Sequence, residues 1–535
     1  MKSVIYCKNM DNLLYYINIT DDSLEDKVMV ANIHSCGIVG ILGQPVLCQC
    51  DLSGGLPQFD VVGLPDASVK EARDRVRAAI KNCGFEFPQR RITVNLAPGE
   101  LRKEGPVYDL PILIGVLCAA KQLPQPPEDA CFIGELSLEG KLRPATGVLP
   151  MALAAKEAGM KSIYVPAENA AEASICEGLT VIPVTDIPQL AKHLSGEESI
   201  SPQPPYVFST QRSEGFDFAD VMGQESVKRA LEVAAAGSHH VLMIGPPGSG
   251  KSMLAKCLPS ILPDMTLEES LETSKVYSVA GMLESQQPML RTRPFRHPHH
   301  TVSAVGLAGG GSVRPKPGEI SLAHNGVLFL DELPEFRRDA IEVLRQPLED
   351  GVVTVSRISG IFTYPSQFML VGAMNPCKCG YFGHSSGRCN CTDLSIRAYR
   401  KRISGPMLDR IDLHIPVQSV AYDQLRDRKP AESSASIRQR VNAARERQRE
   451  RYRGTGVFCN AQLQPGMMRE CCPLTPAAQQ LMASAFDRLG LSARAHDRIL
   501  KVARTIADLA GEEQISEMHV AEAIQYRSLD RDALL

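Results

Sequence analysis

The sequence lacks an excess of charge of either sign. Its 535 residues include 58 basic and 61 acidic side chains, which gives a formal net charge of -3. Such a balance creates no global positive field to attract nucleic acid. Any nucleic-acid surface must therefore be local, and the overall charge neither supports nor excludes one.

Long apolar runs are also missing from the sequence. The longest, residues 110–120, is much shorter than the ~18 apolar residues that a membrane-spanning helix needs. The N-terminus has no basic, apolar and small-residue signal pattern, and we find no internal repeat of fixed period. We therefore expect a cytoplasmic protein with no membrane partner.

Length and changes in patterning divide the chain into five segments. A length of 535 residues predicts three or four domains of roughly 150 residues each. The segments are an extension (1–26), an α/β domain (27–194), a semi-flexible Ser/Pro/Glu-rich linker (195–215), a second α/β unit (216–420) and a helical domain (421–535). In the last segment, helical spacing covers residues 436–453, 476–489, 493–510 and 516–528.

An apolar run that ends at Ile244 precedes a complete phosphate-binding motif. The motif consists of Gly245, Pro246, Pro247, Gly248, Ser249, Gly250, Lys251 and Ser252, and a helix-like stretch follows it. In this pattern the glycines let backbone N–H groups surround phosphates, and the helix N-terminus adds a favourable dipole. Lys251 would contact the β and γ phosphates of ATP, and the Ser252 hydroxyl would ligate Mg²⁺.

Two acidic residues end a second apolar run, from Val327 to Leu330. Asp331 would hold Mg²⁺, and Glu332 would polarise the attacking water. Buried strands often end in acids, which is the alternative interpretation. The phosphate-binding motif earlier in the same unit favours an ATP-hydrolysing site.

Three further polar residues follow in an order that extends this pattern. Asn375 ends a third apolar run and would orient the water, the alternative being a strand cap. Arg410 lies between acidic neighbours and Arg494 opens a predicted helix, the alternative for both being a surface salt bridge. Their order resembles that of sensor 1, arginine finger and sensor 2 in AAA+ ATPases. With Glu332 they would then be catalytic, in a homo-hexameric ring whose subunits complete each other's sites.

The segment between the two motifs contains an insertion. It includes Arg296-His297-Pro298-His299-His300-Thr301, which a glycine-rich stretch follows. With the phrases at 318–326 and 344–351, it resembles the magnesium-chelatase and MCM-helicase branch of AAA+ proteins, whose insertions project towards the ring pore. For the histidines we favour a pore or partner loop over a metal site, because proline and glycine surround them.

The N-terminal α/β domain resembles the Lon-protease-like domain, of ribosomal S5 domain 2-like fold. The likeness lies in residues 132–144 and 163–169. Val107 stands where a protease would have its serine nucleophile, and Met151 lies at the approximate place of the catalytic lysine. Without a nucleophile and its base, peptide hydrolysis has no covalent route, so we expect a binding or assembly module.

The order of a Lon-like domain, a linker, a chelatase-type AAA+ module and a helical C-terminal domain resembles the ComM/YifB family of magnesium-chelatase-like proteins. The likeness runs from about residue 27 to the end. It implies a hexameric, ATP- and Mg²⁺-dependent DNA helicase that promotes branch migration while single strands are integrated during natural transformation. The extension before residue 27 has no place in this pattern.

Four of the sixteen cysteines form a cluster, whereas the other twelve are scattered as in a reducing compartment. The cluster is Cys377, Cys379, Cys389 and Cys391, in a C-x-C-x₉-C-x-C pattern with glycines between the pairs. Four such thiolates suit a tetrahedral structural Zn²⁺ site, although the spacing is tighter than the usual C-x₂-C. Four ordinary loop thiols are the alternative. A zinc ion would stiffen the segment between Asn375 and Arg410 and so set the position of the finger arginine.

One arginine-rich helical segment distinguishes two competing functions, a DNA motor and a chelatase-type ATPase subunit that drives metal insertion through partner proteins. The segment contains Arg438, Arg440, Arg445, Arg447, Arg449, Arg451 and Arg453. Such a concentration of charge favours phosphate contacts with single-stranded or branched DNA. A solvated basic helix or a subunit interface is the alternative.

Overall fold

The computed structural model describes residues 30–209, 215–311, 315–357, 360–384, 386–419 and 431–527. The predicted N-terminal extension and the predicted boundary between residues 420 and 421 therefore lie outside the described residues. Among the described helices, none is long and apolar enough to cross a membrane.

The N-terminal domain is built on one seven-stranded mixed sheet of order β3-β4-β2-β1-β5-β8-β9, with a short β6-β7 pair beside it. Its strands are β1 (Ala31–Val39), β2 (Leu42–Ser53), β3 (Gln58–Val62), β4 (Arg91–Ala97), β5 (Ala130–Phe132), β6 (Glu135–Leu136), β7 (Leu142–Arg143), β8 (Ser162–Pro166) and β9 (Thr180–Val184). Its helices are α1 (Ala67–Asn82), α2 (Asp109–Ala119), α3 (Val148–Glu157), α4 (Ala170–Ala173) and α5 (Ile187–Leu194).

Local sequence explains these elements. In β4 the buried residues Ile92, Val94 and Leu96 alternate with more exposed ones, as a strand with one face on the core requires. The side chain of Asp66 caps α1 by accepting a hydrogen bond from Val69 N at 2.8 Å. The longest apolar run of the sequence forms α2, which is buried on nearly every side.

The second unit contains a five-stranded, fully parallel sheet of order β11-β14-β17-β10-β18. Its strands are β10 (Val241–Ile244), β11 (Phe295–Arg296), β14 (Val327–Leu330), β17 (Met369–Met374) and β18 (Leu413–Pro416). Two antiparallel hairpins lie between strands of this sheet in the order of the chain and form separate pairs. The first pairs β12 (Gly309–Gly310) with β13 (Lys316–Pro317), and the second pairs β15 (Val352–Arg357) with β16 (Gly360–Pro365). The parallel sheet with its flanking helices confirms the α/β class predicted for this unit.

The helices of this unit flank the sheet and connect its strands. They are α6 (Glu225–Gly237), α7 (Lys251–Cys257), α8 (Leu267–Ala280), α9 (Ala304–Ala308), α10 (Glu319–Leu322), α11 (Arg338–Glu342), α12 (Arg345–Asp350), α13 (Asp393–Arg400) and α14 (Gly405–Leu408). Single 3₁₀ turns occur along the chain at Pro106–Tyr108, Ala167–Asn169, Phe218–Asp220, Leu258–Ile261, Leu333–Glu335 and Asn460–Gln462.

The described part of the C-terminal segment, residues 431–527, is helical. Its helices are α15 (Ser434–Arg451), α16 (Pro465–Cys471), α17 (Pro476–Leu489), α18 (Ala493–Ala510) and α19 (Glu517–Gln525). Buried residues of these helices form one continuous apolar core with α6 and the parallel sheet. The helical segment is therefore packed on the second unit through shared burial of apolar surface.

The N-terminal domain contacts the second unit at α8. The Glu172 carboxylate accepts a hydrogen bond from the Ser278 hydroxyl, and Gly147 N donates to Ser278 O at 3.1 Å. Leu149 and Met289 are buried in a small apolar cluster between the two units. Burial raises the pKa of Glu172, although the Ser278 hydroxyl opposes that shift.

Residues 195–209 run across the surface of the N-terminal domain. Gln203 N donates to Val181 O at 2.8 Å, and Tyr206 N donates to Ser174 O at 3.2 Å. These backbone bonds hold part of the predicted linker against the N-terminal domain. Residues 210–214 lie outside the described residues.

A buried ionic network holds the C-terminal helices together. Arg504 and Asp508 are both fully buried on α18, and Arg504 Nε donates to the Asp508 carboxylate at 3.1 Å. Arg451 from α15 donates to the same carboxylate at 2.9 Å. Asn460 adds a further bond of 2.8 Å. A buried charge network of this kind is stable only while each ion keeps its partners.

We therefore expect Asp508→Ala to lower the free energy of unfolding by ~3–5 kcal/mol, because Arg504 and Arg451 are left without their buried counter-ion. Asp487→Ala, at an exposed position on α17, is the matched control and should change it by less than about 0.5 kcal/mol. Denaturant titrations followed by circular dichroism measure both. Equal unfolding midpoints for the two variants would contradict the prediction.

Candidate nucleotide-binding site

The phosphate-binding loop follows β10 and enters α7, as the motif predicts. Gly250 caps α7 in the left-handed conformation with φ of +87°, which favours glycine. A side chain at Gly245 would place its Cβ 2.1 Å from Val417 O, so only glycine fits there. The loop is thus held closely between the ends of β10 and β18.

Lys251 is buried at the centre of this loop. Its Nζ donates to Gly245 O and Pro246 O at 2.8 Å each, and lies 3.3 Å from Asn375 Oδ1. Burial lowers the pKa of Lys251, and the nearby Asp331 carboxylate opposes the shift. The structure therefore brings the predicted phosphate ligand and the predicted sensor amide together.

Ser252 and Asp331 meet across the site. The Ser252 hydroxyl donates to Asp331 Oδ2 at 2.6 Å. A hydroxyl and a carboxylate oxygen are hard oxygen ligands of the kind that Mg²⁺ prefers. Lys251, the loop amides and this oxygen pair thus fit a magnesium–nucleotide complex, in which the ion would neutralise charge on the phosphates.

Glu332 follows Asp331 in a strained backbone conformation. Its φ of 52° and ψ of 44° lie in the left-handed region, which is uncommon for a residue other than glycine. Its side chain is 57% exposed, and Oε2 lies 3.4 Å from His300 Nδ1. The carboxylate assigned to water activation thus points into an open part of the site and contacts a histidine.

The histidine segment is the main feature of the site that sequence reasoning missed. Strand β11 pairs in parallel with β14, with Phe295 opposite Val327 and Arg296 opposite Leu328. Continuing that register one residue at a time brings His300 opposite Glu332. The contact of His300 with Glu332 was not predicted from the sequence. The expectation of a pore or partner loop for this segment stays a prediction.

An ion pair connects this segment with the first hairpin. Arg296 Nε and Nη2 donate to the Glu319 carboxylate at 2.7 and 2.8 Å. Glu319 begins α10, directly after β13 of that hairpin. Two short stretches of chain therefore link the hairpin to the carboxylate of Glu332.

Arg410 and Arg494 make no described contact with the phosphate-binding loop within one chain. Arg410 is buried, donates to Pro406 O at 2.6 Å and pairs with Glu349. Arg494 is exposed in the first turn of α18. Arg498, one turn further on, donates to the Asp412 carboxylate at 2.6 Å. Burial alone would raise the pKa of Asp412, but Arg498 and adjacent histidines hold it well below its usual value.

The four clustered cysteines converge as predicted. Their sulfur atoms all lie within 4.8 Å of one another, with Cys377 Sγ 3.3 Å from Cys379 Sγ and 3.8 Å from Cys389 Sγ. Tetrahedral Zn–S bonds of about 2.3 Å would place sulfur atoms about 3.8 Å apart, so the geometry fits Zn²⁺. A backbone hydrogen bond from Tyr381 and the neighbouring thiols lower the pKa of Cys379, whereas neighbouring thiols raise the pKa of Cys389 and Cys391.

The arginine-rich segment of α15 does not form a free basic surface. Arg445 is buried and donates to Ser238 Oγ at 2.7 Å. Four of the other arginines also bond within the chain: Arg440 with Glu232 and Glu432, Arg447 with the Asp508 carbonyl, Arg449 with Glu446, and Arg451 with the Asp508 carboxylate. Arg440, Arg445, Arg447 and Arg451 therefore hold α15 against α6 and α18. Burial contradicts the interpretation as a phosphate-binding surface for Arg445.

Val107 and Met151 stand where a Lon-type protease would have its serine nucleophile and its catalytic lysine. Val107 lies in the 3₁₀ turn Pro106–Tyr108, and Met151 is buried in α3. Neither side chain carries a nucleophile or a base. These two positions therefore support no covalent peptide hydrolysis.

A parallel sheet of order β11-β14-β17-β10-β18 with a lysine-bearing loop after β10 is the architecture of the AAA+ class of P-loop proteins. Sequence comparison agrees with this class. Residues 217–425 match "Magnesium chelatase, subunit ChlI", residues 48–169 match "Subunit ChlI of Mg-chelatase" and residues 431–527 match "Magnesium chelatase, subunit ChlI C-terminal".

Similar proteins cover nearly the whole chain. It is 43% identical over 501 residues to YifB of Escherichia coli (strain K12), which covers 93% of this chain and 97% of that protein. It is 42% identical over 517 residues to the competence protein ComM of Haemophilus influenzae, covering 94% and 98% respectively. A partial likeness, 29% identity over 186 residues, links 29% of the chain to 32% of Lon protease 2 of Bacillus subtilis. The chain belongs to the ComM/YifB family of magnesium-chelatase-like AAA+ proteins.

Proposed function

We propose that this protein is an ATP-hydrolysing motor that moves branched DNA during the integration of single strands in natural transformation. The joined site of Lys251, Ser252, Asp331 and Glu332 is the observation that carries the ATPase part. The name of the Haemophilus influenzae relative, a competence protein, supports the biological setting. The N-terminal domain would serve as a Lon-like binding or assembly module.

Each residue of the site has a separate role in the proposed hydrolysis of ATP. Lys251 and the loop amides bind the phosphates, while Ser252 and Asp331 hold Mg²⁺. Glu332 accepts a proton from the attacking water, and Asn375 orients that water. In the described contacts His300 restrains Glu332, so the carboxylate is positioned before it acts.

We expect Lys251→Ala to abolish nucleotide binding, because the phosphates are left without their buried cation. Glu332→Gln should bind ATP with wild-type affinity but hydrolyse it ~10²–10⁴ times more slowly, since an amide cannot accept the proton. Fluorescent-nucleotide titration and phosphate release measure the two effects. Equal ATP affinity of wild type and Lys251→Ala would show that the site is assigned wrongly.

We also propose that six chains assemble into a ring in which Arg410 acts on the neighbouring subunit's ATP. Arg410 pairs with Glu349 in the single chain. A guanidinium binds carboxylate and phosphate in the same forked geometry, so the arginine would exchange one anion for the other on assembly. Arg494, exposed at the start of α18, would act on the phosphates as sensor 2.

Mixtures of Arg410→Ala and Glu332→Gln chains test this arrangement. Each variant alone should be nearly inactive, but the mixture should regain turnover where an intact Arg410 meets an intact Glu332. Lys251→Ala mixed with Glu332→Gln is the control, because neither chain then offers a working site. A mixture with Arg410→Ala that never exceeds its parents would argue against a finger acting in trans.

The two hairpins replace the arginine-rich helix as the proposed DNA-binding surface. They adjoin each other, because Arg357 Nε of β15 donates to Gly311 O, next to β12, at 3.3 Å. Arg357 and Lys316 are exposed on them, and Ile361 is 72% exposed. Exposed cations beside an apolar side chain suit the phosphates and bases of single-stranded DNA.

Replacing Arg357 and Lys316 by Ala should weaken DNA binding and lower its salt slope by roughly 0.7–0.9 for each DNA phosphate that the protein no longer neutralises. Arg453→Ala, an exposed arginine just after α15, is the control and should leave the slope unchanged. Titrations of labelled single strands and junctions at several salt concentrations give the slopes. Wild type with ATP and Mg²⁺ should displace a junction strand, whereas Glu332→Gln should bind the junction without displacing the strand.

A wild-type protein that neither binds DNA nor hydrolyses ATP faster with any DNA would instead favour the chelatase-type function. The matches to magnesium-chelatase subunit descriptions support that alternative. Pull-down of large partner subunits would then be the next measurement.

We further propose that the four clustered cysteines bind one structural Zn²⁺ per chain.

A further inference from the structure

The cysteine loop, whose described residues are 377–384 and 386–391, touches the phosphate-binding loop directly. At Gly380, an added Cβ would lie 2.6 Å from Pro247 Cδ and 3.8 Å from Asn375 Cγ. The φ of Gly380 is +86°, so its backbone adopts the conformation that glycine allows. The close approach of Gly380 to Pro247 therefore requires a residue without a side chain and with a left-handed backbone.

A second attachment lies on the other side of the phosphate-binding loop. His384 Nε2 lies 3.3 Å from Ser419 Oγ, in the segment that follows β18. In that segment Gln418 O accepts from Gln224 Nε2, which also donates to Ser249 O at 2.8 Å. The cysteine loop therefore contacts the motif at Pro247 and also borders the chain that supports Ser249.

Part of the cysteine loop is open to solvent. Among its described residues, Cys379 is exposed, and Gly383 and Gly387 have positive φ with no neighbouring atom within 4 Å of an added Cβ. A loop of this composition loses much conformational entropy when it is ordered. A metal ion that cross-links four of its side chains supplies the binding energy to order it.

We propose that the cysteine loop is a metal-dependent clamp on the phosphate-binding loop. Zn²⁺ held by the four thiolates fixes Gly380 against Pro247 and thereby keeps Lys251 and Asn375 at the distances that nucleotide binding needs. This inference rests on the proposed ATPase function. It differs from the expectation that zinc sets the position of Arg410, because Arg410 is held by Glu349 and the Pro406 carbonyl.

Two glycines of the cysteine loop provide a matched test in the Glu332→Gln background, where ATP is not consumed. Gly380→Ala and Gly383→Ala both place a side chain at positive φ, but only the first meets Pro247. Gly380→Ala should raise the Kd for ATP about tenfold, and Gly383→Ala less than about twofold. Both should retain zinc. Equal Kd values for the two variants would overturn the clamp.

Metal content provides the second arm of the test. Protein purified without chelator should contain about one zinc per chain by elemental analysis. Combined Cys377→Ser and Cys389→Ser substitution should remove zinc and raise the Kd for ATP about tenfold, whereas Cys471→Ser should change neither. If the double variant does not fold, zinc stripped from wild type with chelator and reductant replaces it, and added ZnCl₂ should restore the affinity.

The outcomes separate this inference from the function on which it rests. No zinc in purified protein, and none taken up from stoichiometric ZnCl₂, would overturn the metal-dependent clamp. So would removal of zinc with unchanged ATP affinity. Wild-type protein that binds no ATP at all would instead refute the proposed ATPase function, whatever its zinc content.

Discussion

Parallel pairing of β14, β17 and β10 is the constraint on which the whole site depends. Because neighbouring parallel strands end at the same edge of a sheet, three residues that lie far apart in sequence meet there: Asp331, Asn375 and Lys251. The bond from Ser252 to Asp331 and the contact of Lys251 with Asn375 are consequences of this order. A buried apolar core fixes the ends of these strands, so the polar side chains of the site are held close together by the sheet.

Charge in this chain is used mainly to fix structure. The arginines of α15 bind carboxylates and carbonyls of its own neighbours, and Asp508 at the centre of that network is fully buried. Each such pair costs desolvation energy and specifies one arrangement of the helices. Arg357 and Lys316 are exposed on hairpins that lie outside the helical core. Local concentration of charge in a sequence therefore does not by itself locate a nucleic-acid surface.

Sequence was sufficient wherever a feature is local. The phosphate-binding motif, strand Val327–Leu330 and helix Ala493–Ala510 were predicted with their bounds, because caps and apolar runs mark them. It failed where a feature depends on a distant partner. The two-residue strand β11 carries too little pattern to identify, so the contact of His300 with Glu332 could not be foreseen. The burial of Arg445 likewise involves a hydrogen bond to Ser238, which is far away in sequence.

The histidine segment and the cysteine loop each contact a residue of the candidate nucleotide-binding site. His300 contacts Glu332 and is linked through Arg296 and Glu319 to the first hairpin. Gly380 contacts the phosphate-binding loop from the other side of the sheet edge. Because interiors are close-packed, a displacement of either segment must be accommodated at the site and not absorbed between them. In the motor proposed above, such connections would carry a displacement at the nucleotide site to the two hairpins, which a flexible link would dissipate.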